Sequence, residues 1–424
     1  MKTWLVTGST GFVGQALRRR LDALGATEST EKADHNSANP PPEQGANPPQ
    51  TLEHNSHLSS EFNSAHTIQR GTEPRENLDA KPPALNEAIN VLYAKRGQAA
   101  THLSKAAFEA ETNKAETSKA EASKVKIGKP QPIDTVIHLA GVAHVGRAQA
   151  QHARAVNLDA TLELLKAAIN AGVRRFVYLS STLAAAAEQG SGDVTHYGRD
   201  KLAVEQALLT AAAEGKIEVV ILRSVNIYGA GMRGNIAAMI RLMRAGRLPR
   251  LPVLNNKISL VSVTDVAEAL IAAAVRELDS ETNAGPNNPV ATDNEAKAMP
   301  RQQGRAAIRV TLTDGVDYSL NAIQDAIYAT IERHPSRLRL PGVLLFAASS
   351  AAELLSYLGL SRSGISRRTY RQLTRDNLFD NTEARRALGF VPTTTFFETL
   401  PSIAAASREK QAVRALQRPR SKLG

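Results

Sequence analysis

Tyr197 and Lys201 stand four positions apart in "THYGRDKLAVEQ" (195–206). Residues at i and i+4 share a helix face, so a phenol and an ammonium can meet there at one point. Tyr-x-x-x-Lys occurs often by chance, so the spacing alone more often marks two surface residues, and what flanks it decides between the readings. The first flanking feature is "TWLVTGSTGFVGQALRRRLDALG", starting at Thr3. An apolar run ends in glycine, and Gly8, Gly11 and Gly14 lead directly into residues at helical spacing (Phe12, Leu17, Leu21, Leu24), with Gly25 as a stop. Glycines in a strand–turn–helix context permit a tight turn and close approach of the backbone to a pyrophosphate. The N–H groups and partial positive charge of the helix start then favour the phosphates. The motif predicts dinucleotide binding.

Elements that could position these residues follow along the chain. "IDTVIHLAG" (133–141), "RRFVYLSS" (174–181) and "IEVVILRSVNIYG" (217–229) read as buried strands. "HARAVNLDATLELLKAAINAG" and "YGRDKLAVEQALLTAAAEG" read as the helices between them. Strands alternating with helices predict a parallel sheet with crossover helices. Beyond Gly229 the pattern predicts a helix in "GNIAAMIRLMRAG", a strand in "KISLVSV", and a helix in "TDVAEALIAAAVREL" opened by Thr264 or Asp265. A strand in "AIRVTLTDG" and a helix in "SLNAIQDAIYATIERH" come next.

The block from 26 to 132 differs. It is polar and proline-rich, with too few large apolar residues to offset the entropy of ordering, and reads as a mostly disordered insertion. Within it, "AINVLYAKRG" (88–97) has one strand's worth of apolar residues. A second polar stretch, roughly 278–306, reads as a loop or another insertion.

Composition narrows the chemistry. The 424 residues include no cysteine, which excludes disulfides, thiolate metal sites and cysteine nucleophiles and fits a reducing, cytoplasmic setting. The N-terminal apolar run is too short for a signal peptide, and no apolar stretch reaches bilayer length. The nearest, "LPGVLLFAASSAAELLSYLGL" from Leu340, reads as a buried helix, with a helix lying on a membrane surface as the alternative. That alternative makes peripheral association with the inner face of the membrane a candidate. The net charge of +11 suits anions such as nucleotide diphosphates or acidic headgroups. Nucleic acid fits poorly: aromatics are 4% of the chain and no basic stripe interleaves them. His144 and His196 have no partners at metal-ligand spacing, so no metal site is expected.

Together, "TGSTGFVG", "VIHLAG", "AVNLDAT", "RRFVYLSS", "YGRDK", "LRSVNIYGAG", "VSVTDVAEAL" and "ARRALGFVP" resemble the extended short-chain dehydrogenase/reductase family, in its nucleotide-sugar epimerase/dehydratase/reductase branch. The resemblance implies a Rossmann-type α/β fold: a doubly wound parallel sheet with a smaller interleaved C-terminal substrate lobe. Residues 1–25 and 133–230 would form the NAD(P)-binding part and 231–405 mainly the substrate lobe with some returning sheet elements, with 406–424 a basic tail.

The resemblance also implies roles. Tyr197 would be the general acid/base, Lys201 would lower its pKa and bind the nicotinamide ribose, and Ser181 would hold the sugar hydroxyl, with Ser180 and Thr182 as neighbours that could exchange roles. Gly8, Gly11, Phe12, Val13, Gly14, Leu139, Ala140, Gly141, Arg223 and Ser224 would meet the cofactor. Thr182, Asn226 and Arg233 would meet a nucleotide-diphosphate sugar, and Asn157 would tie helix to sheet. The family also implies a homodimer.

The cofactor would be NAD or NADP. The residue that selects between them normally ends the second strand, about twenty residues past the glycines. Here that count lands on Asp34, inside the polar block. If "AINVLY" is the displaced second strand, Lys95 and Arg96 end it and favour the 2′-phosphate of NADP; if the strand is missing, the adenosine pocket is incomplete.

The implied reaction is C4 epimerisation or reduction of a 4-keto sugar in surface polysaccharide synthesis. Dehydration ranks third, because no acid follows Ser181 until Glu188. The competing reading is a non-catalytic dinucleotide-binding regulator or scaffold whose insertion engages a partner.

Overall fold

Trp4 and Val6 face one side of strand β1 (Lys2–Thr7) and Leu5 the other, and all three are fully buried. A strand covered on both faces needs such an unbroken apolar run. In the computed structural model β1 lies in a seven-stranded sheet whose pairings are all parallel. The structure describes residues 2–28, 88–94, 132–143, 150–190, 194–278, 305–335, 339, 341–344, 346–347, 350 and 375–416.

Strand order answers the question of the second strand. Helix α1 (Phe12–Ala23) leads to a two-residue stub, β2 (Thr27–Glu28), and β3 (Ile89–Ala94) follows. β3 lies directly beside β1, pairing one-to-one from Lys2 with Ile89 to Thr7 with Ala94, and the stub sits outside it. "AINVLY" is therefore the displaced strand. Lys95 and Arg96, Asp34, His144 and nearly all of the polar block lie outside the described residues.

On the other side of β1 come β4 (Ile133–His138), β5 (Arg175–Ser181), β6 (Glu218–Ser224) and β9 (Ala307–Leu312). The strands to either side of β1 diverge in chain order at its carboxyl end, the usual place for a ligand crevice. Helices cover both faces. Leu17 and Leu21 of α1 pack with Trp4 and Val6, together with Val266 and Leu270 of α7 (Val263–Val275). On the opposite face Leu164 of α3 (Ala160–Asn170) and Leu208 of α5 (His196–Ala213) pack with Leu5, Val136 and Phe176. Before α3 the chain runs through α2 (Ala150–Arg154) and a widened π turn, Ala155–Asp159.

The smaller lobe has its own core of Tyr228, Ile240, Leu260, Tyr318, Ile323 and Phe396. It is built from α6 (Asn235–Arg244), α8 (Leu320–Thr330) and a three-stranded sheet of β7 (Asn226–Tyr228), β8 (Lys257–Ser262) and β10 (Asp317–Ser319). Between its elements, α7 and β9 return to the main sheet, so the lobes interleave. α7 starts at Val263, one residue earlier than expected, and Ser262 rather than Thr264 or Asp265 caps it. Asp265 instead accepts from the backbone N–H and hydroxyl of Thr393 at 3.1 and 2.7 Å, tying in the segment after α9 (Thr382–Leu388). The last helix, α10 (Phe396–Leu416), carries helical structure into the stretch expected to be tail. No helix among the described residues is long and apolar enough to cross a membrane.

Candidate active site

The glycine turn is closed by Gly11 N–H donating to the Gly8 carbonyl at 3.0 Å. Gly8 has φ +77°, the left-handed region, and a Cβ there would lie 2.7 Å from the backbone nitrogen of Ala140. A Cβ on Gly14 would lie 2.2 Å from the Gly8 oxygen. Any side chain at either position would fill the cradle or push its walls apart. Gly11 precedes α1 without capping it through a side chain, and no acid stands in the first turn. First-turn N–H groups have no partner within a helix and are free for an anion. Phe12 and Val13, both partly buried, pack against the cores of the smaller lobe and the main sheet respectively.

The loop after β4 joins this cradle to the Tyr/Lys helix. Leu139 N–H donates to the Thr7 carbonyl at 3.1 Å, Ala140 abuts Gly8, and a Cβ on Gly141 would come 3.7 Å from Lys201 Nζ. Asn157, in the π turn, fixes the loop through both amide atoms: its Oδ1 accepts from Val142 N–H at 2.7 Å and its Nδ2 donates to the Val142 carbonyl at 3.0 Å. The expected helix-to-sheet tie is therefore made through this loop.

A residue absent from the expected set holds the same loop from beneath. Buried His138 lies between Thr7, 2.7 Å from Nδ1, and Thr161, 3.0 Å from Nε2. Thr161 gives its proton to the Asn157 carbonyl, so His138 carries its hydrogen on Nε2 and accepts from Thr7 on Nδ1. Burial, helped by the nearby Lys201 charge, pushes His138 down to about 3 and keeps it neutral.

Thr195 caps α5, accepting from Gly198 N–H at 2.6 Å. A Cβ on Gly198 would meet the Leu183 carbonyl at 2.4 Å. That close approach sets the start of α4 (Thr182–Glu188), which carries the strand-end hydroxyls, against the turn bearing Tyr197. Lys201 is buried, donates to the Leu179 carbonyl at 2.8 Å, and lies 5.7 Å from the Tyr197 ring centroid. Burial pushes Lys201 down to about 7, with Glu205 pulling the other way. Burial also pushes the half-buried Tyr197 up to about 12. Burial therefore sets the Tyr197 phenol in the chain alone, and the expected lowering by Lys201 is not seen there.

The three strand-end hydroxyls divide their work. Ser180 donates to buried Glu205 in a very short bond. Ser181 caps α4, its hydroxyl accepting from Leu183 N–H at 3.3 Å. The Thr182 hydroxyl has no hydrogen-bond partner among the described residues.

Arg223 and Ser224 lie side by side at the end of β6 and are held by bonds within the protein. Arg223 donates through Nε and Nη2 to Glu205 at 2.6–3.1 Å and through Nη2 to Glu188 at 2.8 Å. The Ser224 hydroxyl donates to the Ser180 carbonyl at 3.2 Å. Arg223 Nε and Nη2 and the Ser224 hydroxyl proton are thus engaged within the protein. Burial opposes ionisation of Glu188, but Arg223 and then Arg309 hold its carboxyl below the usual range. Glu188 is thereby committed at the far end of α4 from the hydroxyls. Glu205 is the anchor of this network; its signal in the sequence is its place one turn after Lys201 on α5. Asn226 is exposed at the start of β7, and exposed Arg233 lies in the loop before α6.

A family model described as the NAD dependent epimerase/dehydratase family matches residues 83–285. A UDP-glucose 4-epimerase of Vibrio cholerae is 33% identical over 151 residues, 32% of this chain and 46% of that protein, so the chain spans under half the length of that relative. The fold is shared with MoeE5 in complex with UDP-glucose and NAD, at TM-score 0.54 and 18% identity over 96% of this chain and 99% of that one. It is also shared with a Stenotrophomonas maltophila UDP-glucose-4-epimerase with bound NAD and formylated UDP-arabinopyranose, at TM-score 0.55 and 19% identity over 97% and 100%. Just under half of the chain thus matches the NAD dependent epimerase/dehydratase family model, and the parallel sheet with its glycine cradle is the fold of the nucleotide-sugar epimerases it is similar to.

Proposed function

We propose that the protein is an NAD(P)-dependent nucleotide-sugar enzyme that epimerises a UDP-sugar at C4 through a 4-keto sugar, with reduction of a 4-keto sugar as the nearest variant. One observation carries this reading: the loop Leu139–Gly141 passes close to Gly8 of the cradle at one end and, at Gly141, leaves room for no more than a methyl group before Lys201, so phosphate site and Tyr/Lys pair are neighbours. The cradle that a Cβ would fill fits a dinucleotide pyrophosphate, and a bound nicotinamide ring supplies a reversible hydride acceptor beside the sugar carbon. NAD is favoured by the relatives solved with it; the leaning to NADP rested on Lys95 and Arg96 alone.

The chain's own groups handle the proton and the orientation. Tyr197 Oη removes a proton from the sugar hydroxyl as the carbonyl forms and returns it when the carbonyl is reduced. The Thr182 hydroxyl, without a partner among the described residues, holds that sugar oxygen in preference to Ser181, whose hydroxyl is oriented by accepting from Leu183 N–H. Lys201 places positive charge beside the phenolate that forms. Asn226 and Arg233, exposed at the same ends of the strands, bind the diphosphate. The names of the relatives favour epimerisation and a UDP-sugar.

The test is mass spectrometry of the gently purified chain for retained dinucleotide, followed by interconversion of UDP-glucose and UDP-galactose and oxidation of NAD(P)H by keto sugars at 340 nm. Retained NAD with interconversion supports the epimerase; an empty site that fills with NADPH and consumes it supports the reductase. Dinucleotide binding without turnover of any such sugar would favour the scaffold.

A further inference from the structure

The Lys201 ammonium has unusual surroundings for a buried charge. The residue is only 3% exposed, and its one hydrogen bond among the described residues goes to the Leu179 carbonyl. An ammonium has three donors, and a buried charge with two of them unmet needs other stabilisation. Tyr178 lies directly below, with Lys201 Nζ 4.3 Å from its ring centroid, closer than the 5.7 Å to the Tyr197 ring.

Tyr178 is fully buried, and its hydroxyl has no hydrogen-bond partner among the described residues. The residue therefore keeps an orphaned polar atom in the core while presenting an aromatic face to a cation. A desolvated cation–π contact of this kind is among the stronger ones.

The other charged and titratable groups around Lys201 leave this role open. Glu205, one turn on along α5, attracts it, but its carboxylate is taken up by Arg223 and Ser180. His138 of β4 lies nearly parallel to the Tyr178 ring, at 5.9 Å and 14°, and is kept uncharged by its own burial and hydrogen bonds. Tyr197 and Asp200 lie on α5 itself, with Asp200 paired to Arg154.

We propose that Tyr178 is a positioning residue for Lys201, its ring face forming the seat that holds the ammonium charged beside the Tyr197 site. The role of that charge in sugar chemistry rests on the function proposed above, whereas the seat itself can be tested without turnover.

The full chain is labelled with ¹³C at lysine Cε, and the Lys201 signal is assigned by its loss in Lys201→Met. Its protonation midpoint is then followed by NMR. Tyr178→Phe keeps the face and drops only the orphaned hydroxyl, so the midpoint is expected to stay in place. Replacing residue 178 with increasingly fluorinated phenylalanines keeps the shape but drains the ring face. The midpoint should then fall stepwise, by about one pH unit, or tenfold in the protonation constant, at full fluorination. A midpoint unmoved across the fluorinated series would overturn the proposal. A falling midpoint in a chain that turns over no nucleotide sugar would keep the seat and sink the proposed function instead.

Discussion

Arg223 Nη2 lies 2.6 Å from the Glu205 carboxylate, and neither side chain is more than a tenth exposed. The pair joins β6 to α5 beneath the strand-end hydroxyls, and Ser180 and Glu188 complete it. Removing one partner of such a pair strands the other charge in the core. Glu205→Ala should therefore cost about 3–5 kcal/mol of unfolding free energy, measured by urea denaturation. Glu205→Leu combined with Arg223→Met should cost less than Glu205→Ala. If the single change is nearly neutral, the network does not hold the sheet to the helix as argued.

Tyr197→Phe removes the proton-transfer group and leaves the cradle untouched. General acid–base catalysis contributes on the order of 10²–10⁴-fold, so turnover should fall by that factor with dinucleotide affinity unchanged. Steady-state rates and calorimetric titration with NAD check the two halves separately. Thr182→Val should raise KM and lower kcat, whereas Ser181→Ala should act mainly on stability by removing a helix cap, at about 1 kcal/mol.

Much of this was legible because it is local. The turn from Gly8 to Gly14 is set by neighbouring residues, and strand, glycines and helix follow one another without a break. The unbroken apolar runs around Trp4, Ile137 and Val220 likewise announce strands buried on both faces. What was not legible depends on partners distant in sequence. Arg223 reads like a group facing the crevice until Glu205 is seen 18 residues upstream with its oxygens pointed at it. Ser181 and Thr182 are nearly interchangeable in sequence, and the start of α4 separates them by making Ser181 its cap. His138 is one more residue of an apolar strand until Thr7 and Thr161 close on its two nitrogens. The place of β3 could be guessed from its apolar residues, but its position beside β1 is fixed by pairing across an interval that local rules do not span.

Gly14→Ala tests the cradle most sharply. The new methyl would lie 2.2 Å from the Gly8 oxygen, a backbone atom that cannot swing away like the end of a side chain. The turn must open, so dinucleotide affinity should fall at least tenfold, with a lower melting temperature in the free protein. Gly25→Ala makes a useful control. It also carries a positive φ, +76°, yet has nothing within 4 Å of an added Cβ, so it should affect stability and leave cofactor affinity alone.

Two buried groups set opposite pH dependences on stability. Asp314 accepts from the hydroxyls of Tyr228 and Tyr318 at 3.1 and 2.7 Å, and burial pushes it from 3.8 up to about 6 despite those donors. Its folded form holds a proton that the unfolded chain releases, so its contribution is complete below about 4 and is lost as pH rises through 6. His138 falls from 6.5 to about 3, so its contribution is complete above about 6.5 and is lost as pH falls toward 3. Between about pH 4 and 6 the two slopes oppose each other, each at about 1.4 kcal/mol per pH unit where one proton separates the folded and unfolded states. Asp314→Asn should make stability rise more steeply with pH across that window than in the unaltered chain. His138→Gln should make it rise less steeply or fall. Melting temperatures from pH 4 to 7 for the three proteins decide the matter. If the Asp314→Asn curve runs parallel to that of the unaltered chain, the carboxyl does not carry its proton into the fold.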